Sequence, residues 1–313
     1  MKILFMGTPE FAVPCLAALI GAGHTVLGAV TQPDRPKGRG HKLQPPPVKV
    51  CAQEYGIPVF QPESLKDGAL QDTLDALQPE LIAVVAYGKI LPPYILDYPK
   101  YGCINVHASL LPQYRGAGPI QWAVINGEAV TGVTTMYMAK GLDTGDMILK
   151  QATAIAPDET AGALHDRLAP MGAELLVKTV ALLEAGTAPR EAQDDAASSY
   201  APMIAKETGR IDWSRPAQAV VNLVRGTNPW PMSHTVYCNA PMKVVRARLG
   251  GCCDKQPGEI VGLTADKELE VACGDGQSVV ISEIQMQGGK QMRVRDYLNG
   301  HTLDLHAVLG RED

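Results

Sequence analysis

The sequence has few aromatic residues and no long apolar run. Phe, Trp and Tyr together make up 5% of its 313 residues, so a folded core must be mostly aliphatic. The opening stretch MKILFMGTPEF has only a short apolar run before Gly7, Pro9 and Glu10, which matches neither a secretory signal nor a membrane span. We therefore expect a cytoplasmic protein.

Cysteine spacing typical of disulfide frameworks or zinc sites is also missing. The seven cysteines form no CxxC pair and no repeated spacing, and no histidine is near the adjacent Cys252 and Cys253. We interpret them as reduced thiols and expect no metal. The Gly7-Thr8-Pro9 turn likewise lacks the GxGxxG pattern of nicotinamide-binding enzymes, which argues against an oxidoreductase.

The chain has no overall excess of positive charge. Its formal net charge is -5, so a polyanionic partner would need a local basic patch. One candidate is the segment Thr31–Val50, which contains five basic residues and one acidic residue and so has a local charge of +4. A solvated basic loop is the usual interpretation of such a segment, and a nucleic-acid contact is the alternative. The five basic residues are Arg35, Lys37, Arg39, Lys42 and Lys49.

Short apolar runs alternate with helix-length amphipathic stretches through the first half of the chain. This pattern predicts an α/β domain with a Rossmann-like, mostly parallel sheet over residues 1–188. Residues 189–207 are rich in Ala, Ser, Asp and Pro, which predicts a linker. About five closely spaced strands with Gly-bearing turns then predict a smaller OB-like β-barrel domain over residues 208–313.

Polar residues alternate with apolar ones in the stretch GCINVHASLLPQYRG, residues 102–116. In an extended chain Asn105, His107 and Ser109 would share one face, because successive side chains point to opposite faces. The carboxyl ends of strands in open α/β sheets are where ligands bind. A lone histidine is more often a hydrogen-bonded structural residue, but this alternation favours a functional site.

A glycine-bracketed acidic turn, GLDTGD, follows at residues 141–146. From these residues alone a plain hairpin connection is the better interpretation, since Asp and Gly are turn formers. The alternating oxygen ligands and terminal glutamate of a calcium loop are missing.

Together, these segments resemble the folate-dependent formyltransferases of the glycinamide ribonucleotide transformylase family. The family pattern is an Asn, a His two residues later, a Ser-Leu-Leu-Pro run and a later Asp in a Gly-rich turn, and each piece is present. Within that family, several further segments resemble the members that formylate initiator methionyl-tRNA. These segments are MKILFMGTPEFA, TQPDRPKGRGHKLQPPPVK, AYGKILP and NPWPM.

The resemblance implies a formyl transferase that takes its formyl group from 10-formyltetrahydrofolate. The acceptor would be the α-amine of methionine esterified to initiator tRNA. The implied catalytic residues are Asn105, His107 and Asp143. The implied folate contacts are Ser109, Leu110, Leu111 and Pro112, with Ile90 and Leu91 either enclosing the pterin or packing in the core. The implied tRNA contacts are Arg39 and Lys42.

Other functions fit parts of the same pattern. The same centre could formylate a sugar-nucleotide amine or a purine precursor, which the basic loop and the second domain disfavour. It could also admit water and release formate as a hydrolase. A noncatalytic RNA-binding protein is the alternative outside the enzymes, and the intact Asn105, His107 and Asp143 argue against it. We expect a monomer, although the sequence alone does not establish the oligomeric state.

Overall fold

The N-terminal sheet places short, apolar strands side by side in the middle of an α/β layer. The computed structural model describes residues 1–37 and 42–311, and its first half builds this sheet in the order β10-β9-β7-β6-β1-β2-β5. The strands of the first 201 residues are β1 Lys2–Gly7, β2 Thr25–Val30, β3 Arg35–Lys37, β4 Lys42–Gln44, β5 Val59–Phe60, β6 Leu81–Val85, β7 Cys103–His107, β8 Arg115–Gly116, β9 Val130–Tyr137, β10 Met147–Ala154 and β11 Tyr200–Ala201.

Helices connect these strands along the chain. They are α1 Val13–Gly21, α2 Pro47–Glu54, α3 Gln71–Leu77, α4 Pro93–Leu96, α5 Pro119–Ile125 and α6 Ala161–Glu184. The strands β1, β2, β5, β6 and β7 pair in parallel, and β9 runs antiparallel to β7. Every residue of β6 is buried, as a central strand covered on both faces requires. The predicted mostly parallel α/β sheet is confirmed.

The C-terminal part is a smaller antiparallel β structure. It contains α7 Ala217–Gly226, β12 Ser233–Tyr237, β13 Ala240–Cys252, β14 Ile260–Leu263, β15 Leu269–Ala272, β16 Gln277–Met286, β17 Met292–Arg293 and α8 Val294–Tyr297. The main path runs β12-β13-β16-β15-β14, and β17 pairs with β16. The prediction of a smaller C-terminal β domain is confirmed, and the domain is antiparallel.

The chain divides into two compact units that are not contiguous in sequence. The first comprises residues 1–116, 131–153 and 165–201, and the second comprises 117–130, 154–164 and 202–313. In the second unit α5 packs on α7, where Gly226 leaves no room for a side chain beside Ile125. The second unit has its own hydrophobic core, which includes Trp213, Val244 and Ile281. The boundaries 1–188, 189–207 and 208–313 stay a prediction.

Candidate functional site

His107 is the last residue of β7, and its imidazole is almost completely buried. The strand alternates as predicted, with the apolar Ile104 and Val106 packed in the core. The His107 Nε2 atom lies 2.8 Å from the carbonyl oxygen of Tyr114. Because a carbonyl can only accept a hydrogen bond, Nε2 carries a proton and donates it to Tyr114. This bond fixes the ring orientation and leaves Nδ1 as the nitrogen whose proton can change.

Asp143 faces the other nitrogen of the same ring. Its Oδ2 atom lies 3.7 Å from His107 Nδ1 and accepts a 2.9 Å hydrogen bond from the backbone N–H of Gly116. Asp143 has a φ of 52°, in the left-handed region, which Asp tolerates better than most residues with a side chain. The turn therefore presents a carboxylate to the imidazole, and the two predicted residues do come together.

Asn105 lies two residues before His107 on the same strand and is half-buried. Alternation along β7 places both side chains on one face. Within the part of the chain that the structure describes, the Asn105 side-chain amide makes no hydrogen bond. Its N–H groups are free to bind a ligand. The site thus offers a free amide donor, an oriented imidazole and a carboxylate next to the imidazole Nδ1 atom.

Ser109 does not continue this row of polar side chains. Strand β7 ends at His107, and the fully buried Ser109 hydroxyl donates a 2.6 Å hydrogen bond to the carbonyl of Gln113. The prediction that it shares a face with Asn105 and His107 is wrong, because the chain turns immediately after the strand. Its carbonyl accepts a 2.7 Å bond from the hydroxyl of Thr134, which also accepts the N–H of Leu111. Ser109 therefore shapes the loop.

The other loop residues assigned to folate differ in exposure. Leu111 is 2% exposed and packs with Met136 and Met147, whereas Leu110 and Pro112 are half-buried. Earlier in the chain, Ile90 is 81% exposed and its neighbour Leu91 is buried in the core. Core packing therefore describes Leu91, while Ile90 is left with its side chain in solvent.

Contacts around the pair come from residues that the motifs did not single out. The Tyr114 N–H donates to the hydroxyl of Ser199, and the side-chain amide of Gln193 donates to the carbonyls of Asp143 and Gly145. These partners come from the segment predicted as a linker. No local pattern marks them, since the bond from Gln193 to Asp143 spans 50 residues of sequence.

A polar cluster fixes the base of the basic segment. Lys49 Nζ lies 2.8 Å from Asp34 Oδ2 and 2.8 Å from Gln61 Oε1, and Gln61 also donates to Asp34. The hydrogen bond from Lys49, with that from Gln61, lowers the pKa of the Asp34 carboxyl. Lys49 is thus paired, and the other four basic residues carry the local positive charge.

The two residues assigned to tRNA belong to this segment of the sequence. Arg39 lies outside the described residues, and Lys42 begins β4, which pairs antiparallel with β3. In the second unit, Trp213 is buried and donates to the hydroxyl of Thr235, whereas Trp230 is 54% exposed. Core packing is therefore the role of Trp213.

The described residues, 1–37 and 42–311, show neither a metal-binding group nor a membrane-spanning helix. They contain no group of three or more His, Cys, Asp and Glu side chains placed to hold a metal ion. None of their helices is both long and apolar enough to cross a membrane.

Comparisons with known proteins give a family match for both parts of the chain. Residues 1–180 match the family model described as formyl transferase, and residues 203–302 match the formyl transferase C-terminal domain. Two relatives named methionyl-tRNA formyltransferase, from Geotalea uraniireducens and Citrifermentans bemidjiense, are 51% and 52% identical. Each alignment covers 100% of this chain, with 99% of the first relative and 98% of the second.

Solved structures share the fold at much lower identity. HypX from Aquifex aeolicus in complex with tetrahydrofolic acid has a TM-score of 0.66 at 16% identity, covering 97% of this chain and 48% of that one. The N-formyltransferase from Helicobacter canadensis in complex with folinic acid and dTDP-3-aminofucose has a TM-score of 0.66 at 17% identity, covering 90% of this chain and 98% of that one. At these identities the likeness establishes the fold alone. On the full-length matches and the two family models, the chain belongs to the formyl transferase family.

Proposed function

We propose that this protein transfers the formyl group of 10-formyltetrahydrofolate to the α-amine of methionyl initiator tRNA, for translation initiation. The observation that carries the proposal is identity of about half of all positions to methionyl-tRNA formyltransferases along their full length. The free amide of Asn105 beside the His107–Asp143 pair supports it, because these groups meet the needs of amine attack on a formyl carbon.

The reaction converts a planar formyl amide into a tetrahedral species with negative charge on oxygen. Asn105 and His107 are the donors we assign to that oxygen, and one such donor is typically worth about 3 to 4 kcal/mol in the transition state. The attacking amine loses a proton and the folate nitrogen gains one. His107 Nδ1 is the nitrogen available for this relay, because Nε2 is bonded to Tyr114.

Asp143 is assigned the tasks of orienting His107 and ordering a water beside it. The gap of 3.7 Å between Nδ1 and Oδ2 is longer than a direct hydrogen bond. An ordered water is therefore part of the relay we propose. Positioning, charge stabilisation and proton transfer are sufficient for a formyl donor and a free amine.

Binding of the two substrates is assigned to separate segments. Leu110 and Pro112 offer partly exposed apolar surface for the folate, with Ser109 and Leu111 holding their loop in shape. Ile90 is a further candidate for the pterin, since its apolar side chain is exposed and accessible to a ligand. Arg39 and Lys42 are assigned to tRNA phosphates. Cytoplasmic location and the monomeric state remain predictions from the sequence.

Formyl transfer assays with three acceptor conditions test the proposal. The folate donor is incubated with charged initiator tRNA, with a sugar-nucleotide amine, or with no acceptor. We expect formylmethionyl-tRNA as the product. Product only with the sugar would indicate a sugar-nucleotide formyltransferase, and formate alone would indicate a hydrolase.

A further inference from the structure

The segment Gln193–Ala201, which we call the strap, runs along the candidate site within the first unit. It lies between the two ranges that match the family models, 1–180 and 203–302. Just before it, Glu191 and Met147 exchange two backbone hydrogen bonds of 2.8 and 3.0 Å, which tie the chain to the first residue of β10. The strap therefore starts from an anchored position and is part of the first unit.

Gln193 holds the backbone of the acidic turn. Its side-chain N–H groups donate to the carbonyls of Asp143 and Gly145, each at 2.8 Å, and its side-chain oxygen accepts a 2.9 Å bond from Arg115 Nε. Both donors and the acceptor of this amide are used. Gln193 is half-buried although the residues beside it are exposed, so the strap turns this one side chain inward.

Ser199 holds the other half of the pair. Its hydroxyl accepts the Tyr114 N–H at 2.8 Å, and its carbonyl accepts the Arg115 N–H at 2.8 Å. The carbonyl of Tyr114 is the group that fixes His107 Nε2. Strands β8 and β11 then pair in parallel, so the strap is bonded to the chain on the C-terminal side of Tyr114 as well.

We propose that Gln193 and Ser199 are positioning residues for formyl transfer, Gln193 acting through Asp143 and Ser199 acting through Tyr114 on His107. The proposal rests on the proposed function. Transfer needs His107 and Asp143 held in one mutual geometry, and a misplacement of about 1 Å can cost on the order of 100-fold in rate. The strap bonds to both sides of the pair, whereas α6, which precedes it, reaches neither residue through any described hydrogen bond.

Four single variants separate positioning from packing. Gln193→Ala removes all three hydrogen bonds. Gln193→Glu keeps the size of the side chain and the acceptor for Arg115 but loses both donors to the acidic turn. Ser199→Ala removes only the hydroxyl. Glu191→Gln is the matched control, because among the described residues the Glu191 side chain pairs with Lys150 alone, in an exposed pair.

The measurements are kcat and KM for folate and for charged initiator tRNA, with thermal stability of each variant. We expect kcat to fall about 10-fold in both Gln193 variants and about 5-fold in Ser199→Ala. The two KM values of these variants, and the kcat and KM values of the control, should stay within about twofold of wild type. We also expect Gln193→Ala to have little further effect when combined with Asp143→Asn, since residues that act as a unit are not additive.

Two results would overturn the positioning role while the wild-type enzyme is active. One is unchanged kcat in both Gln193 variants, and the other is an equal loss from Gln193→Ala with and without Asp143→Asn. A wild-type enzyme that fails to formylate charged initiator tRNA would instead reject the proposed function, and the positioning role with it. The two failures are therefore distinguishable.

Discussion

At the scale of single residues, the proposed mechanism assigns the chemistry to the side chains of Asn105 and His107. They are expected to act mainly when charge develops on the formyl oxygen. Replacing either one with Ala should lower kcat by about 100-fold or more, with little change in the affinity for tRNA. Steady-state kinetics of the two variants measures this. Near-normal kcat in both would remove them from the mechanism.

Cysteine reactivity tests the fold residue by residue. Burial raises the pKa of Cys15, Cys103 and Cys273 to about 12, so their thiols stay protonated and shielded near pH 8. Cys238 and Cys252 are exposed. We expect iodoacetamide to label these two in the native protein, and to label Cys15, Cys103 and Cys273 only after denaturation, as read by mass spectrometry. Rapid native labelling of Cys15 would contradict the packing of α1.

The motifs contain enough information to predict which residues come together at the site but too little to predict the residues that support them. Asn105, His107 and Asp143 stand in a recognisable order along the chain, and the structure brings His107 and Asp143 together. Their supports, Tyr114 and Gln193, act through backbone carbonyls, which carry no identity in the sequence. The mistaken placement of Ser109 has a related cause, because alternation describes a strand only up to its unmarked end.

Close backbone approach at two glycines holds the site together at the scale of elements. Gly116 has a φ of 114°, and a Cβ there would lie 2.6 Å from the carbonyl oxygen of Ala201. Gly145 sits against the carbonyl of Tyr137 with no space for a side chain. Only glycine permits β8 to pair with β11 and the acidic turn to close on β9.

Gly116→Ala should therefore separate β8 from β11 and displace the N–H that Asp143 accepts. We expect kcat to fall at least 10-fold, with a loss of stability of about 1 to 3 kcal/mol for the forced left-handed backbone. Gly251→Ala is the matched control, because no atom of the described residues lies within 4 Å of a Cβ added at Gly251. Wild-type kcat and stability in Gly116→Ala would contradict the described pairing.

The cluster at the base of the basic segment has a pH-dependent stability. The Asp34 pKa is lowered by Lys49 and Gln61, so the cluster contributes stability above the unfolded-state pKa of Asp and loses it as the pH falls through the lower folded-state pKa. Asp34→Asn should be less stable than wild type at pH 7, and the difference should shrink under acid conditions. Thermal melts across pH measure it, and a constant difference would contradict the pairing.

The sequence predicted the type of sheet in each unit, but the division of the chain between the two compact units involves contacts between residues far apart in the sequence. Strands such as β6 are uniformly apolar, so they stand out in the sequence as short apolar runs. Helix α5 has seven residues and shows no clear helical period in the sequence. Its packing on α7 is a long-range contact, and so the second unit draws on residues 117–130, which no local pattern assigns to it.

At the scale of the whole molecule, the chain has a net charge of -5, so the proposed recognition of tRNA is assigned to the basic segment. Arginine can bind a phosphate through two parallel N–H donors. Lysine offers only a point charge, and leucine offers neither a charge nor a donor. Losing one phosphate contact reduces the slope of log affinity against log salt by about one. Arg39→Leu should therefore raise KM for charged tRNA and flatten its salt dependence.

A salt titration of tRNA binding measures this for wild type, Arg39→Leu and Arg39→Lys. Lys66→Leu serves as the control, since it removes an exposed charge outside the basic segment. Folate affinity should be the same in all four proteins. Coincident curves for wild type and both Arg39 variants would show that the basic segment is a solvated surface.

The fate of a labelled formyl group tests the account most directly. 10-Formyltetrahydrofolate labelled in its formyl carbon is mixed with excess enzyme and charged initiator tRNA, and the label is followed through a single turnover. We predict that the label appears on the α-nitrogen of the esterified methionine, and that it does so at least about 100-fold more slowly with His107→Ala. Label recovered only as free formate, or transfer at the same rate without His107, would contradict the account.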